Sequence, residues 1–201
     1  MQATLSTGLP LLDRFLDGGW FRKGLNELCG KEGGGKASLA FKSVAALTQK
    51  KIPVALITKG ASFFPPALAR EGIDLGRILW LRPESEERCR WASEQVVRSG
   101  LFPLILNAYF SYYNERETRR LQLAAERSGS TVLFLRHAHR GTGNFAFALR
   151  CNVERSRSDR LYLRILKSRR MLPKLEMEVS LDAKTNPGDL FPEITGSRVA
   201  S

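Results

Sequence analysis

The stretch Gly30-Lys-Glu-Gly33-Gly34-Gly35-Lys36-Ala37-Ser38 constrains this chain more than any other. A short apolar strand candidate, Gly24–Leu28, runs into it. A helical spacing of Leu39, Val44 and Leu47 follows it across Ser38–Gln49. Strand, glycine turn and helix in that order present backbone N–H groups at a helix N-terminus, a concavity that holds phosphate oxygens. The pattern G-x-x-x-x-G-K is intact, so Lys36 is positioned to add a point charge at the β- and γ-phosphates. The hydroxyl residue that should follow the lysine and hold Mg²⁺ is Ala37 instead. Ser38 is no simple replacement, because one helical position turns it by about 100°. Gly30, Gly33, Gly34, Gly35, Lys36, Ala37 and Ser38 therefore form a candidate but eroded nucleotide site. The rival reading is a glycine turn that binds nothing.

The remaining pattern extends this unit into an α/β fold. A short helix is expected around Leu11–Leu16, then a turn through Asp17-Gly18-Gly19. Strands are expected at Ile52–Thr58, Arg77–Leu81, Phe102–Asn107 and Thr131–Leu135, with helices at Pro65–Glu71, Ser85–Arg98 and Glu115–Arg127. Strands alternating with helices predict a parallel sheet covered on both faces. Beyond Asn144 the style changes. Phe145–Val153, Arg160–Lys167 and Leu175–Leu181 each suit strands, so an antiparallel meander is appended to the parallel sheet. Pro187, Gly188, Pro192 and Gly196 punctuate the polar end of the chain. The expected organisation is one domain over residues 1–182 and a disordered tail over 183–201.

At 201 residues the chain is long enough to bury a core. No apolar run reaches the length of a bilayer crossing, and the N-terminus lacks the layout of a secretory signal, so a cytoplasmic protein with no membrane partner is expected. Cys29, Cys89 and Cys151 are unpaired in spacing and read as small buried hydrophobes. His137 and His139 have no acidic or cysteine neighbour in sequence, so no metal site is expected.

The net charge of +12 favours polyanionic partners, nucleic acid first. Ten Arg or Lys residues and two acids, Glu154 and Asp159, lie between Arg136 and Arg170. Arg155, Arg157, Arg160 and Arg164 in that segment could neutralise phosphates of single-stranded DNA. They could equally be the wet face of antiparallel strands, since Leu161, Leu163 and Ile165 alternate with them. Tyr109, Phe110, Tyr112 and Tyr113 cluster just past a central strand, where ligands meet parallel sheets. Base stacking, a partner contact and core packing are all open to them.

Laid end to end, these motifs resemble the core of the RecA recombinase superfamily. Ser6-Thr7-Gly8, Leu11-Leu12-Asp13 and Glu27-Leu28-Cys29-Gly30 stand in that family's order. So do Arg70-Glu71-Gly72-Ile73-Asp74, Arg98-Ser99-Gly100, Thr142-Gly143-Asn144-Phe145 and Ile165-Leu166-Lys167-Ser168-Arg169. The match covers roughly residues 5–182 and implies a RecA-like P-loop core. Within the superfamily the compact size, the eroded loop and the closing ILKSRRMLPKLEMEVSLD resemble the ImuA family, short RecA-like accessory proteins of bacterial mutagenic translesion synthesis, sometimes labelled SulA-like.

The resemblance also marks losses. The water-activating glutamate of a recombinase aligns with Gly60, the Walker B aspartate with Asn107-Ala108, and the polar sensor with Arg136-His137. Hydroxyl, glutamate and aspartate missing together predict a protein that is not an ATPase, given what each contributes to phosphoryl transfer. No cofactor is required, and ATP or ADP is what the loop would take. Lys167 and Arg169 fall where recombinases reach across a protomer interface, and with Arg170 they read as an interface clamp, a DNA contact or a solvated hairpin end. The implied role is a non-catalytic adaptor in the DNA-damage response. Its implied partners are an ImuB-like Y-family protein, a replicative-type polymerase subunit and RecA. The alternatives are a DNA-stimulated ATPase, a direct single-stranded DNA binder and a SulA-like division inhibitor.

Overall fold

The computed structural model describes residues 4–59, 63–108, 113–137, 146–157 and 159–181. The expected tail, Gly60, Tyr109, Phe110, Tyr112, His139 and Thr142–Phe145 lie outside these described residues. In chain order the first elements are β1 (Thr4–Leu5), α1 (Pro10–Phe15), β2 (Trp20–Phe21), β3 (Gly24–Cys29) and α2 (Lys36–Thr48). Next come β4 (Val54–Ile57), α3 (Pro65–Arg70), β5 (Ile78–Leu81), α4 (Glu86–Ser99) and β6 (Leu104–Asn107). The order closes with α5 (Glu115–Ser128), β7 (Thr131–Arg136), β8 (Phe147–Arg155), β9 (Arg160–Ser168) and β10 (Glu176–Ser180).

The main sheet has eight strands in the order β10-β9-β8-β3-β7-β6-β4-β5. From β8 to β5 every neighbouring pair is parallel. The pairs β8–β9 and β9–β10 are antiparallel. The meander foreseen at the C-terminal end is present, and β8 joins it to the sheet by running parallel to β3. The two-residue strands β1 and β2 form a separate small ribbon that the sequence pattern does not announce.

The inner parallel strands β3, β4, β6 and β7 are buried on both faces. Val54, Leu56, Leu104, Leu106, Leu133 and Leu135 pack into one layer with Leu12 of α1, Leu39 and Val44 of α2, and Leu68 of α3. Ala55, Ile57, Ile105, Val132 and Phe134 point the other way, into a layer with Cys89 and Val96 of α4 and Leu121 and Ala125 of α5. Each fully buried leucine in such a layer contributes about 1.5–3 kcal/mol. Strand β9 differs: Leu161, Leu163 and Ile165 enter the first layer, while Arg160 and Arg164 stay exposed. That is the alternation of a strand with one wet face.

Local signals set the helix ends. Ser85 Oγ accepts from the Arg88 N–H at 3.2 Å and opens α4, and Gly100 closes it in the left-handed region at φ 67°. Asn114 and Glu117 form a reciprocal capping box at the start of α5. The N-terminal turn is held by side chains. Asp13 accepts from the Thr7 N–H at 2.7 Å and from Ser6 Oγ at 2.6 Å. Fully buried Trp20 donates from Nε1 to Ser43 Oγ at 2.8 Å, which ties that turn to α2. All three cysteines are free and buried, and burial pushes the Cys29 thiol up to about 11. Among the described residues no helix is long and apolar enough to cross a membrane.

Candidate functional site

The loop after β3 and the first turn of α2 open onto a cavity of about 600 Å³. Glu32, Gly33, Gly35, Lys36, Ala37 and Ser38 form one wall. Lys59 and Phe63 after β4, Glu86 of α4, Ala108 after β6, Leu135 of β7 and Arg155 of β8 complete it. The cavity thus sits at the C-terminal ends of the parallel strands, the place where such sheets take ligands.

Gly35 caps α2 at φ 92° with no side-chain cap, and a Cβ there would overlap Leu161 Cδ2 of β9. A Cβ on Gly30 would overlap the Val153 carbonyl oxygen of β8. The loop therefore lies directly against the β8–β9 pair, and only glycine permits that approach. Lys36 is buried, and its ammonium donates to the carbonyl oxygens of Gly30 at 3.1 Å and Lys31 at 2.8 Å. Burial lowers its pKa from the ordinary lysine value, against an opposing pull from Glu32.

The magnesium that a phosphate loop normally shares with its nucleotide finds poor support in this lining. Position 37 offers a methyl group that packs toward the core. The strand-end positions facing the cavity are Ala108 and Leu135, both apolar. Asn107, which precedes Ala108, is fully buried in the opposite layer, where its Oδ1 accepts from Ser93 Oγ of α4 at 3.0 Å. Among the described residues its Nδ2 finds no hydrogen-bond partner. The carboxylates that do line the cavity are Glu32 on the loop and Glu86, which pairs with Lys59 at 3.8 Å. Among the described residues no group of three or more potential ligands converges on a metal position. Ser38 does line the cavity, so a hydroxyl is present one helical position beyond the expected one.

The other candidate residues separate into distinct places. Arg155 joins the loop: it lines the cavity and its Nε donates to the Gly33 carbonyl at 3.4 Å. Arg157 is exposed in the β8–β9 turn. Arg160 pairs with Glu178 at 3.5 Å and Arg164 with Glu176 at 2.7 Å, both across β9–β10. Lys167 stands opposite Arg150 in register, and its pKa is lowered by burial and then by Arg169 and Arg150. Arg169 lies 4.0 Å from Glu126 of α5. Neither Lys167 nor Arg169 lines the cavity of its own chain.

Arg170 is turned inward. Its Nη1 donates to the carbonyls of Leu16 at 2.7 Å, Asp17 at 3.1 Å and Gly19 at 3.3 Å, and its guanidinium carbon sits 3.9 Å from the Phe21 ring centroid. Tyr113, the described member of the aromatic group, is buried edge-on against Phe134 at 5.4 Å. Exposed His137 does not line the cavity, and Arg136 bends into the α5 layer to pair with buried Glu27 at 3.2 Å. Arg150 pairs with the other oxygen of Glu27. Sequence reasoning missed Lys59, Phe63 and Glu86 as cavity residues. No local motif marks them, because three separate strand and helix ends deliver them.

No protein-family model matches the chain. It is similar to curated RecA proteins: 35% identical to that of Chlorobaculum parvum over 104 residues, 51% of this chain and 30% of the relative. Against RecA of Prochlorococcus marinus it is 25% identical over 142 residues, 70% of this chain and 38% of that one. The chain thus spans about a third of the length of the curated relatives it matches. Among solved structures it is similar to a RadB recombinase, with a TM-score of 0.73 and 17% identity, covering 89% of this chain and 96% of that one.

Proposed function

Starting from a RecA-like recombinase core, we propose that this chain is a non-catalytic accessory protein of DNA-damage-induced translesion synthesis, of the ImuA kind. One observation carries the reading. The phosphate loop keeps its shape and its lysine, while the positions that would hold metal are Ala37 and Asn107-Ala108, and the position that would prime water is Gly60, outside the described residues. Phosphoryl transfer draws its rate from those electrostatic elements, so their joint absence removes the chemistry and leaves the scaffold. The edge that β5 forms among the described residues supports an adaptor role as well. Strand β5 ends the sheet with Leu79 40% exposed, and Trp91 of α4 is 65% exposed. The proposed partners are an ImuB-like Y-family protein, a replicative-type polymerase subunit and RecA.

The test is reconstitution from purified components. Stable co-elution with the polymerase proteins or with RecA, together with no Mg²⁺-dependent ATP turnover, is the expected result. Robust turnover, or failure to bind any of these partners, overturns it. A second reading, retention of ATP or ADP as a structural ligand, is favoured by the cavity itself and by Lys36 in its wall.

A further inference from the structure

We infer that the loop cavity holds the phosphates of a nucleoside di- or triphosphate without magnesium, with Arg155 supplying from the same chain the positive charge the metal would bring. The inference rests on the second reading above, that the cavity retains nucleotide, and goes beyond it in naming the charge that replaces the ion.

Three observations carry it. The first is placement. Because β8 runs parallel to β3, its C-terminal end rises beside the loop, and Arg155 is the residue that arrives there. Its Nε reaches the Gly33 carbonyl at 3.4 Å, a long contact that a phosphate oxygen can readily displace. The second is the charge of the lining. Lys36, Lys59 and Arg155 stand against Glu32 and Glu86, and Glu86 is already engaged by Lys59 at 3.8 Å. A guanidinium offers a forked donor pair matched to phosphate geometry, which an isolated lysine does not. The third is the poor fit of the metal: the cavity wall is apolar at Ala37, Ala108 and Leu135, and Asn107 is spent on Ser93 in the opposite layer. Binding would draw the Lys36 ammonium from the Gly30 and Lys31 carbonyls onto the phosphates.

The test uses the full chain and fluorescent ADP and ATP analogues, titrated by anisotropy in EDTA and in millimolar Mg²⁺. Affinity in EDTA is expected to equal or exceed that in Mg²⁺. Arg155→Ala should weaken binding in EDTA by about tenfold or more, the loss of one charge-assisted contact, and Arg155→Lys should recover only part of it. Arg157→Ala, two residues further on in the β8–β9 turn and outside the cavity lining, should bind as the parent does. Arg155 is exposed, so its replacement does not threaten the fold. Binding that requires Mg²⁺, or an Arg155→Ala variant indistinguishable from the parent, overturns the inference while leaving nucleotide retention standing. No binding of either analogue in either buffer overturns both, and leaves the adaptor reading to its own reconstitution test.

Discussion

Glu27 shows what a single buried charge demands of its neighbours. It is 2% exposed, in the middle strand of the sheet, and it is held by Arg136 and Arg150 from the strands on either side. The two arginine side chains are themselves 18% and 15% exposed. Replacing Glu27 by Gln removes the negative charge that both largely buried cations share. We expect Glu27→Gln to destabilise the fold by about 3 kcal/mol or more, read as a lower urea midpoint at unchanged slope. The exposed pair Arg160–Glu178 has the same chemistry in water, so Arg160→Ala should cost at most about 1 kcal/mol. Neither Glu27 nor its partners can be ranked from sequence. Arg136 reads there as a sensor and Arg150 as one more basic residue, because their meeting depends on strand register across more than a hundred residues.

At the scale of elements, legibility followed the locality of the signal. Helix α5 was expected over Glu115–Arg127 and occupies Glu115–Ser128, since Asn114 and Gly129 mark both ends with their own side chain or lack of one. Helix α2 begins at Lys36, two residues before its expected start, because Gly35 caps it through backbone conformation and supplies no polar side chain to announce it. The same locality makes α5 testable. Asn114→Ala removes the side-chain half of the capping box while its backbone N–H still donates to Glu117, and it should cost about 1 kcal/mol, with faster amide exchange confined to the first turn of that helix. The parallel pairing of β8 with β3 leaves no local trace, so the sequence groups Arg155 with Arg157, Arg160 and Arg164 as phosphate contacts or a wet strand face, and the structure adds its place beside Gly33. The strand, glycine turn and helix that make the loop are legible because their residues are contiguous.

For the molecule as a whole, the parallel sheet, its two helical layers and the appended antiparallel strands were all readable from alternation and period. The link between the two ends of the chain was not. Arg170 lies 154 residues from Leu16 and accounts for three carbonyls of the turn between α1 and β2. We expect Arg170→Ala to lower stability by about 2 kcal/mol and to expose that turn to limited proteolysis. Arg170→Lys should restore only part of the loss, since an ammonium cannot reproduce the planar stacking on Phe21.

That clasp also bears on how the protein is made. A ribosome releases residue 17 long before residue 170, at a pace of roughly 5–20 residues per second. The opening turn must therefore wait about 8–30 seconds for the side chain that fastens it. During synthesis the nascent amino-terminal portion stays loosely closed, and it is over this interval that chaperone engagement should be strongest.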